Sequence, residues 1–213
     1  DDLPAMDDDE LRRGRKTTHV VYGEDMGILA GDALLNYAFE TAAAAFDEYP
    51  EKALQIGKAM KILGNKAGIY GMLGGQVVDV KETGHAVDKD VLDFIYALKT
   101  GALLESSMMI GATLAGADDE SIALIEKVAS KVGLAFQVQD DILDVTSTAE
   151  VLGKPIHSDE KNEKTTYVTL LGIDKAEKIV EKESVEAIEL LKSLPVRNDY
   201  LEWLLTQLIH RKK

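Results

Sequence analysis

Cysteine is absent from the 213 residues, so neither a disulfide framework nor a thiolate metal site is available. Histidine is scarce, and His19, His85, His157 and His210 stand at no spacing that would ligate a metal together. Proline occurs four times and aromatic residues make up 6% of the chain. No apolar run is long enough to cross a bilayer; the longest, Ser106 to Ala117, falls well short of the roughly 20 residues a spanning helix needs. No secretory leader pattern is visible. Neither a phosphate-binding glycine loop nor a nucleophile elbow occurs. Positive charge is outnumbered, 24 Lys and Arg against 38 Asp and Glu, and the net charge of -14 argues against nucleic acid or an anionic lipid surface as a partner. The lack of cysteine accords with a cytoplasmic setting. What remains is a chain that is 46% apolar, sufficient for one sizeable helical core and read as one domain over residues 1–213. It opens on Asp1-Asp2 rather than Met, and its first residues read as the middle of something longer, so a preceding segment is expected.

Apolar positions recur at helical spacing almost throughout. Met26, Leu29, Ala33, Leu34, Tyr37 and Ala38 predict a helix over 24–46. Pro50 suits the first turn of a second helix, expected to run unbroken over 51–80. Asp88 is placed to cap a third, reaching Leu114, and Asp118-Asp119 open a fourth over 118–145. The polar stretch 146–164, with Gly153 and Pro155, reads as a loop, followed by short or medium helices over 165–171, 174–193 and 197–210. No segment alternates as a strand does. The expectation is an all-α fold of long helices.

Acidic residues gather in two places. The first is DDLPAMDDDE, residues 1–10, where Pro4 disfavours helix for Leu3, so that the chain can curl and turn Asp7 back toward Asp1. Such a run, taken alone, also reads as a solvated surface. The second is FQVQDDILD, residues 136–144. Gln137, Asp140 and Asp144 stand at i, i+3 and i+7 and share one helix face, among the apolar Ala135, Val138, Ile142 and Val145. Carboxylates on so apolar a helix are costly to bury without cations, and oxygen ligands suit magnesium; an exposed acidic helix end is the other reading. Basic residues lie nearby in sequence. Arg12 and Arg13 follow the first cluster, Lys99-Thr100 interrupts an apolar helix, and Lys154 and Lys164 fall in the polar loop. Each alone reads as a surface charge; together they suit a phosphate. Gln76 and Asp79 share a face at i, i+3, beside glycines that read as close helix packing.

Taken together, DDLPAMD with DELRRGRKTTH, GEDMGILAGDALL, GGQVVD, LKTGALL, FQVQDDILD and LGKPIHSDEKNEKTTYVTLLG resemble, in order, the trans-isoprenyl diphosphate synthases, specifically the farnesyl and geranylgeranyl diphosphate synthases of bacterial type. The resemblance covers the whole chain. It implies a single bundle of mostly antiparallel helices around a deep cavity, the isoprenoid synthase fold. It implies three Mg2+ ions with bound diphosphate, held mainly by Asp1, Asp7 and Asp140, with Asp2, Asp141 and Asp144 as further ligands or as groups that orient the ligands. Arg12, Lys99, Lys154 and Lys164 would hold the allylic diphosphate and Arg13 the isopentenyl diphosphate; Thr100 and Gln137 would sit near the reacting carbons. Met108, Met109 and Phe136 are candidates to line the cavity, although core packing explains them equally well. A homodimer is implied, with no stable membrane insertion. Two departures stand out: the upstream segment that carries a Gly-Lys and Arg element in the family is not present, and His157 occupies a loop position where the family has Gly.

The implied reaction is condensation of isopentenyl diphosphate with dimethylallyl and geranyl diphosphates to farnesyl diphosphate. A geranylgeranyl diphosphate synthase is the alternative, since the first motif has the same spacing in both. A class I terpene cyclase is disfavoured by Asp140-Asp141-Asp144, and a non-catalytic subunit of a prenyl synthase by the survival of both aspartate motifs.

Overall fold

The structure, a computed structural model, describes residues 1–147 and 164–209. The chain starts in an irregular turn over residues 1–9, then forms a small hairpin of β1 (Leu11–Arg12) and β2 (Arg15–Lys16), with Arg12 opposite Arg15. Among the described residues all remaining regular structure is helical. α1 (Thr18–Tyr22) leads into α2 (Glu24–Glu48), and a single turn at Pro50–Lys52 opens α3 (Ala53–Ala67). α4 spans Met72–Glu82 and α5 Lys89–Ile95; a π-helical stretch at Tyr96–Gly101 joins α5 to α6 (Ala102–Leu114). α7 (Asp119–Thr146) is the longest helix, followed by α8 (Tyr167–Leu171), α9 (Ile173–Lys192) and α10 (Asp199–Ile209).

The caps sit where the sequence puts them. Asp88 accepts from the Val91 amide at 3.0 Å and Asp118 from the Ser121 amide at 2.7 Å, each satisfying a donor that the first helical turn leaves without an internal partner. The Asp118 carboxyl is held below its ordinary range by the backbone and side-chain donors of Ser121. Two expectations need correction. The helix expected over 51–80 is broken between Ala67 and Met72. Gly71 closes onto the Lys66 carbonyl there, more tightly than any residue with a Cβ permits. The helix expected from Asp88 to Leu114 is continuous in direction but widens into the π stretch at Tyr96–Gly101, a distortion that often marks a functional position.

α7 is the spine. Val128, Ala129, Val132, Ala135, Val138 and Ile142 are buried along it. α9 packs against one side of α7 with Ala176, Val180, Ala187 and Leu191, α6 packs against another, and α3 lies on α6. Met108 and Met109 pack against this core. Two glycines set how closely the helices approach the π stretch. A Cβ on Gly75 of α4 would stand 2.3 Å from the Lys99 backbone nitrogen, and a Cβ on Gly133 of α7 would stand 2.9 Å from the Gly101 Cα. The Lys99-Thr100-Gly101 backbone is therefore gripped from two sides by helices that lack a side chain at the point of contact. α2 is different: none of its residues is buried, and Met26, Ile28, Leu29, Leu34, Leu35 and Tyr37 are exposed.

A second tie crosses three helices. Lys66 of α3 bonds Glu105 of α6 and, at 2.6 Å, Glu126 of α7. Burial works against its charge, but the two carboxylates outweigh it and raise its pKa above the ordinary 10.5. A lysine raised in this way stabilises the fold fully below pH 10.5 and ceases to do so as pH climbs through its folded value.

Two predictions follow from this packing. Gly75→Ala and Gly133→Ala should each destabilise by about 1–3 kcal/mol through overpacking, seen as a fall in melting temperature, whereas Gly31→Ala, where an added Cβ meets nothing within 4 Å, should be neutral or slightly stabilising. Lys66→Met should cost about 3 kcal/mol at neutral pH by leaving Glu105 buried without its cation. In urea titrations across pH, its deficit relative to the parent protein should narrow above pH 10.5.

Candidate active site

The opening turn brings the first acidic cluster back on itself, as Pro4 leads one to expect. The Asp7 amide donates to the Asp1 carbonyl at 3.0 Å and the Asp9 amide to the Asp2 carbonyl at 3.2 Å. Thr17, buried, ties down the far end of the turn by donating to the Asp9 carbonyl at 2.7 Å. The hairpin that follows carries Arg12 back over the turn, with its guanidinium 3.4 Å from Asp1 and 3.5 Å from Asp2. Arg13 sits at the hairpin tip, exposed, with φ of 53°.

Three further segments meet this turn. From the π stretch, Lys99 reaches Asp79 of α4 at 2.7 Å and Asp1 at 3.6 Å. From the segment before α8, Lys164 reaches Asp7 at 2.8 Å and the same Asp79 oxygen at 3.3 Å. Asp79 thus bridges two lysines that stand 65 positions apart in the chain, and its carboxyl lies below the ordinary range: burial pushes it up, and the two ammonium groups more than reverse that. Lys164 is raised for the matching reason, its burial outweighed by Asp7 and Asp79. Sequence reasoning noted Asp79 only as a neighbour of Gln76; the signal that would have placed it here is the GQVVD stretch itself, in a helix whose glycine lies against Lys99.

Thr100 turns the other way and donates to the Gln137 side-chain oxygen of α7 at 2.8 Å. Lys99, Thr100, Gln137, Asp140, Asp79 and Lys164 line one cavity, whose apolar wall includes Val87, Leu92 and Ile95. The cavity holds about 100 Å³, room for a phosphate-bearing head group; drug-sized pockets are about 300–1,000 Å³. The two acidic clusters therefore meet at one place, Asp140 at the cavity wall and Asp1 and Asp7 through the lysines.

The carboxylates of the second cluster have different surroundings. Asp141 is buried, 3% exposed, and accepts from the Tyr96 hydroxyl at 2.8 Å and from the Tyr167 amide at 2.9 Å. Asp144, 2% exposed, has neither oxygen hydrogen-bonded among the described residues. Leaving a carboxylate so buried without donors is costly. The sequence reading did not foresee Tyr96 or Tyr167 as partners. Lys154, a predicted diphosphate contact, and His157 lie outside the described residues.

Among the described residues no three acidic or histidine side chains converge as a preformed metal cage; in this arrangement lysines hold the first cluster. The donor chemistry nevertheless suits a hard divalent cation, being carboxylate oxygen alone, and the unsatisfied Asp144 is the group that most needs one.

A sequence model of the polyprenyl synthetase family matches residues 1–195. The chain belongs to the polyprenyl synthetase family. It is 48% identical over 195 residues to the chloroplastic geranylgeranyl pyrophosphate synthase of Catharanthus roseus, an alignment covering 90% of the chain and 53% of that relative. It is 42% identical over 173 residues to the farnesyl diphosphate synthase of Geobacillus stearothermophilus, covering 81% and 58%. A crystal structure of a geranyltransferase from Helicobacter pylori, complexed with magnesium and isoprenyl diphosphate, superposes with a TM-score of 0.85 at 35% identity, over 98% of this chain and 67% of that one. The chain spans about half the length of the curated relatives it matches. The all-α fold agrees with these neighbours, and no helix among the described residues is long and apolar enough to cross a membrane.

Because Asp144 is buried with neither oxygen hydrogen-bonded among the described residues, Asp144→Asn should stabilise the cation-free protein by about 1–4 kcal/mol. Urea unfolding in the presence of a chelator measures this directly; a loss of stability would show that a neutral group is not what the site prefers.

Proposed function

We propose that this polyprenyl synthetase is a short-chain trans-prenyltransferase that condenses isopentenyl diphosphate with dimethylallyl and geranyl diphosphates to give farnesyl diphosphate. The observation that carries the reading is the shared cavity, where two lysines, an acidic helix face and the Thr100–Gln137 pair stand together. Lys99 and Lys164, with Arg12 and Lys154, supply the charge to hold an allylic diphosphate; Arg13 takes the isopentenyl diphosphate.

Asp1, Asp7, Asp140 and Asp144, with Asp2 beside them, would hold magnesium, three ions in the full complex, while Asp141 completes the second motif without ligating; the metal would supply positive charge that favours a departing diphosphate. The protein's own groups do the rest. Lys99 and Lys164 stabilise negative charge on the diphosphate as the allylic C–O bond breaks. The Thr100 carbonyl and the Gln137 amide present the negative ends of their dipoles to the allylic cation. The double bond of isopentenyl diphosphate attacks that cation to form the new C–C bond, and a proton is lost, to the released diphosphate, to restore an alkene. The apolar wall at Val87, Leu92 and Ile95 keeps water from the cation. No protein nucleophile takes part.

The second reading, a geranylgeranyl diphosphate synthase, is favoured by the names of relatives such as the Catharanthus roseus protein. A homodimer belongs to the same proposal, and the exposed apolar residues of α2 are consistent with a second copy covering them.

The full-length protein incubated with labelled isopentenyl diphosphate, dimethylallyl diphosphate and Mg2+ should yield a C15 product by mass. A C20 product selects the second reading, and no condensation product rejects both. Asp140→Ala should lower kcat by about 100-fold or more, as expected when several kcal/mol of charge stabilisation are lost, with little change in melting temperature.

A further inference from the structure

The acidic motif on α7 contains one carboxylate whose geometry points away from ligand chemistry. Asp141 is buried at the edge of the cavity lining, and its two oxygens accept from the Tyr96 hydroxyl, each at 2.8 Å. Its Oδ2 also accepts the Tyr167 backbone N–H at 2.9 Å. Tyr96 and Tyr167 are themselves buried, with ring centroids 5.6 Å apart. The far end of Tyr167 is fixed as well: its hydroxyl bonds Asp93, and Lys89 lies over its ring at 5.3 Å while pairing with Asp93 at 2.5 Å.

Tyr167 is the first residue of α8, so its N–H has no acceptor within the helix. Asp141 supplies that acceptor. Only two residues separate Tyr167 from Lys164, and that short stretch is pinned along its length. Thr166 and Thr169 form a reciprocal cap, and the Thr165 hydroxyl accepts the Val87 amide at 3.2 Å. The position of the Lys164 ammonium, on Asp7 and Asp79, therefore depends on where Tyr167 is held.

We propose that Asp141 and Tyr96 are positioning residues: together they clamp the Tyr167 backbone and so seat Lys164 in the cavity. What Lys164 does there rests on the prenyltransferase reading; the clamp itself does not. The assignment gives Asp141 a different part from its neighbour Asp140, although the two are adjacent in sequence and both line the cavity.

The test uses the full-length protein and the variants Asp141→Asn, Tyr96→Phe, Lys164→Ala and the Asp141→Asn/Lys164→Ala double variant. Amide hydrogen exchange at Tyr167 is read first, without substrate or metal. Asn offers one acceptor oxygen where Asp uses two, so Asp141→Asn should speed exchange at Tyr167 by about tenfold or more; an unchanged rate overturns the clamp. Tyr96→Phe keeps the ring and removes only the hydroxyl. It should speed the same amide to a smaller extent with its melting temperature close to the parent's, and it decides the matter if Asp141→Asn does not fold. Binding of inorganic pyrophosphate at saturating Mg2+ is read second, by calorimetry. Asp141→Asn and Lys164→Ala should each weaken it about tenfold, as loss of an orienting partner commonly does, and the double variant should be no weaker than Lys164→Ala alone. Multiplying losses, near 100-fold, would overturn the route through Lys164. The half-saturating Mg2+ concentration for pyrophosphate binding should be unchanged in Asp141→Asn and raised in Asp140→Ala; a rise in both would make Asp141 a metal ligand and end the proposal. If pyrophosphate binds as expected but no prenyl product forms, the proposed reaction is rejected while the exchange result still decides the clamp.

Discussion

The site depends on how closely two helices approach the backbone of Lys99, Thr100 and Gly101. Gly75 brings α4 against Lys99, and Gly133 brings α7 against Gly101. With a side chain at either point the helices would stand farther off, because interiors packed to near-crystalline density have no slack to absorb a methyl group. The approach of α4 places Asp79 within 2.7 Å of Lys99; the approach of α7 places Gln137 within 2.8 Å of Thr100. The π stretch between them lets two successive residues face opposite neighbours, one toward the acidic turn and one toward α7. Geometry at the cavity is thus inherited from backbone packing, which is stiffer than any side-chain contact within it.

The charges gathered there are nearly balanced in kind. Asp1, Asp7 and Asp79 face Lys99, Lys164 and Arg12 in a partly buried setting, where attraction between opposite charges is stronger than at the surface. Such a network favours the charged forms of Lys164, which is raised, and Asp79, which is lowered. Under the proposed reading this is the resting partner exchange: the lysines hold the carboxylates until a diphosphate offers them a better anion, at which point divalent cations can take over the released oxygens. A polyanion arriving with its cations changes partners without leaving any buried charge bare, which is the condition that buried ions impose.

Most of the helical architecture was legible from apolar spacing, and the caps at Asp88 and Asp118 from residue type alone. The curl that returns Asp7 toward Asp1 was legible from Pro4. What was not legible arises from contacts distant in sequence. The break between α3 and α4 is a local decision at Gly71, yet the flanking segments have the same apolar rhythm as an unbroken helix, so periodicity passes over it. The π stretch leaves no mark in the pattern either, and the glycines that pack against it lie on α4 and α7, distant in sequence. The pairing of Lys164 with Asp7 spans almost the whole chain, and only the family resemblance suggested they share a site. Asp79 was visible as a helix neighbour of Gln76, but its role as a bridge between two lysines needed the fold.

The second aspartate motif shows why spacing alone divides roles poorly. Asp140, Asp141 and Asp144 lie within one and a half turns of α7 and look alike in sequence, and two of them are equally buried. Asp141 receives a hydroxyl and an amide from the protein, so its charge is already compensated by donors fixed in the fold. Asp144 receives neither, and a buried carboxylate in that state can be stabilised only by gaining a cation or a proton. For stability alone an amide or an apolar residue would serve better at Asp144, because a buried carboxylate without donors contributes nothing favourable to folding. Under the proposed reading the two acids divide the work: Asp141 holds the frame, and Asp144 stays short of partners until a cation supplies them.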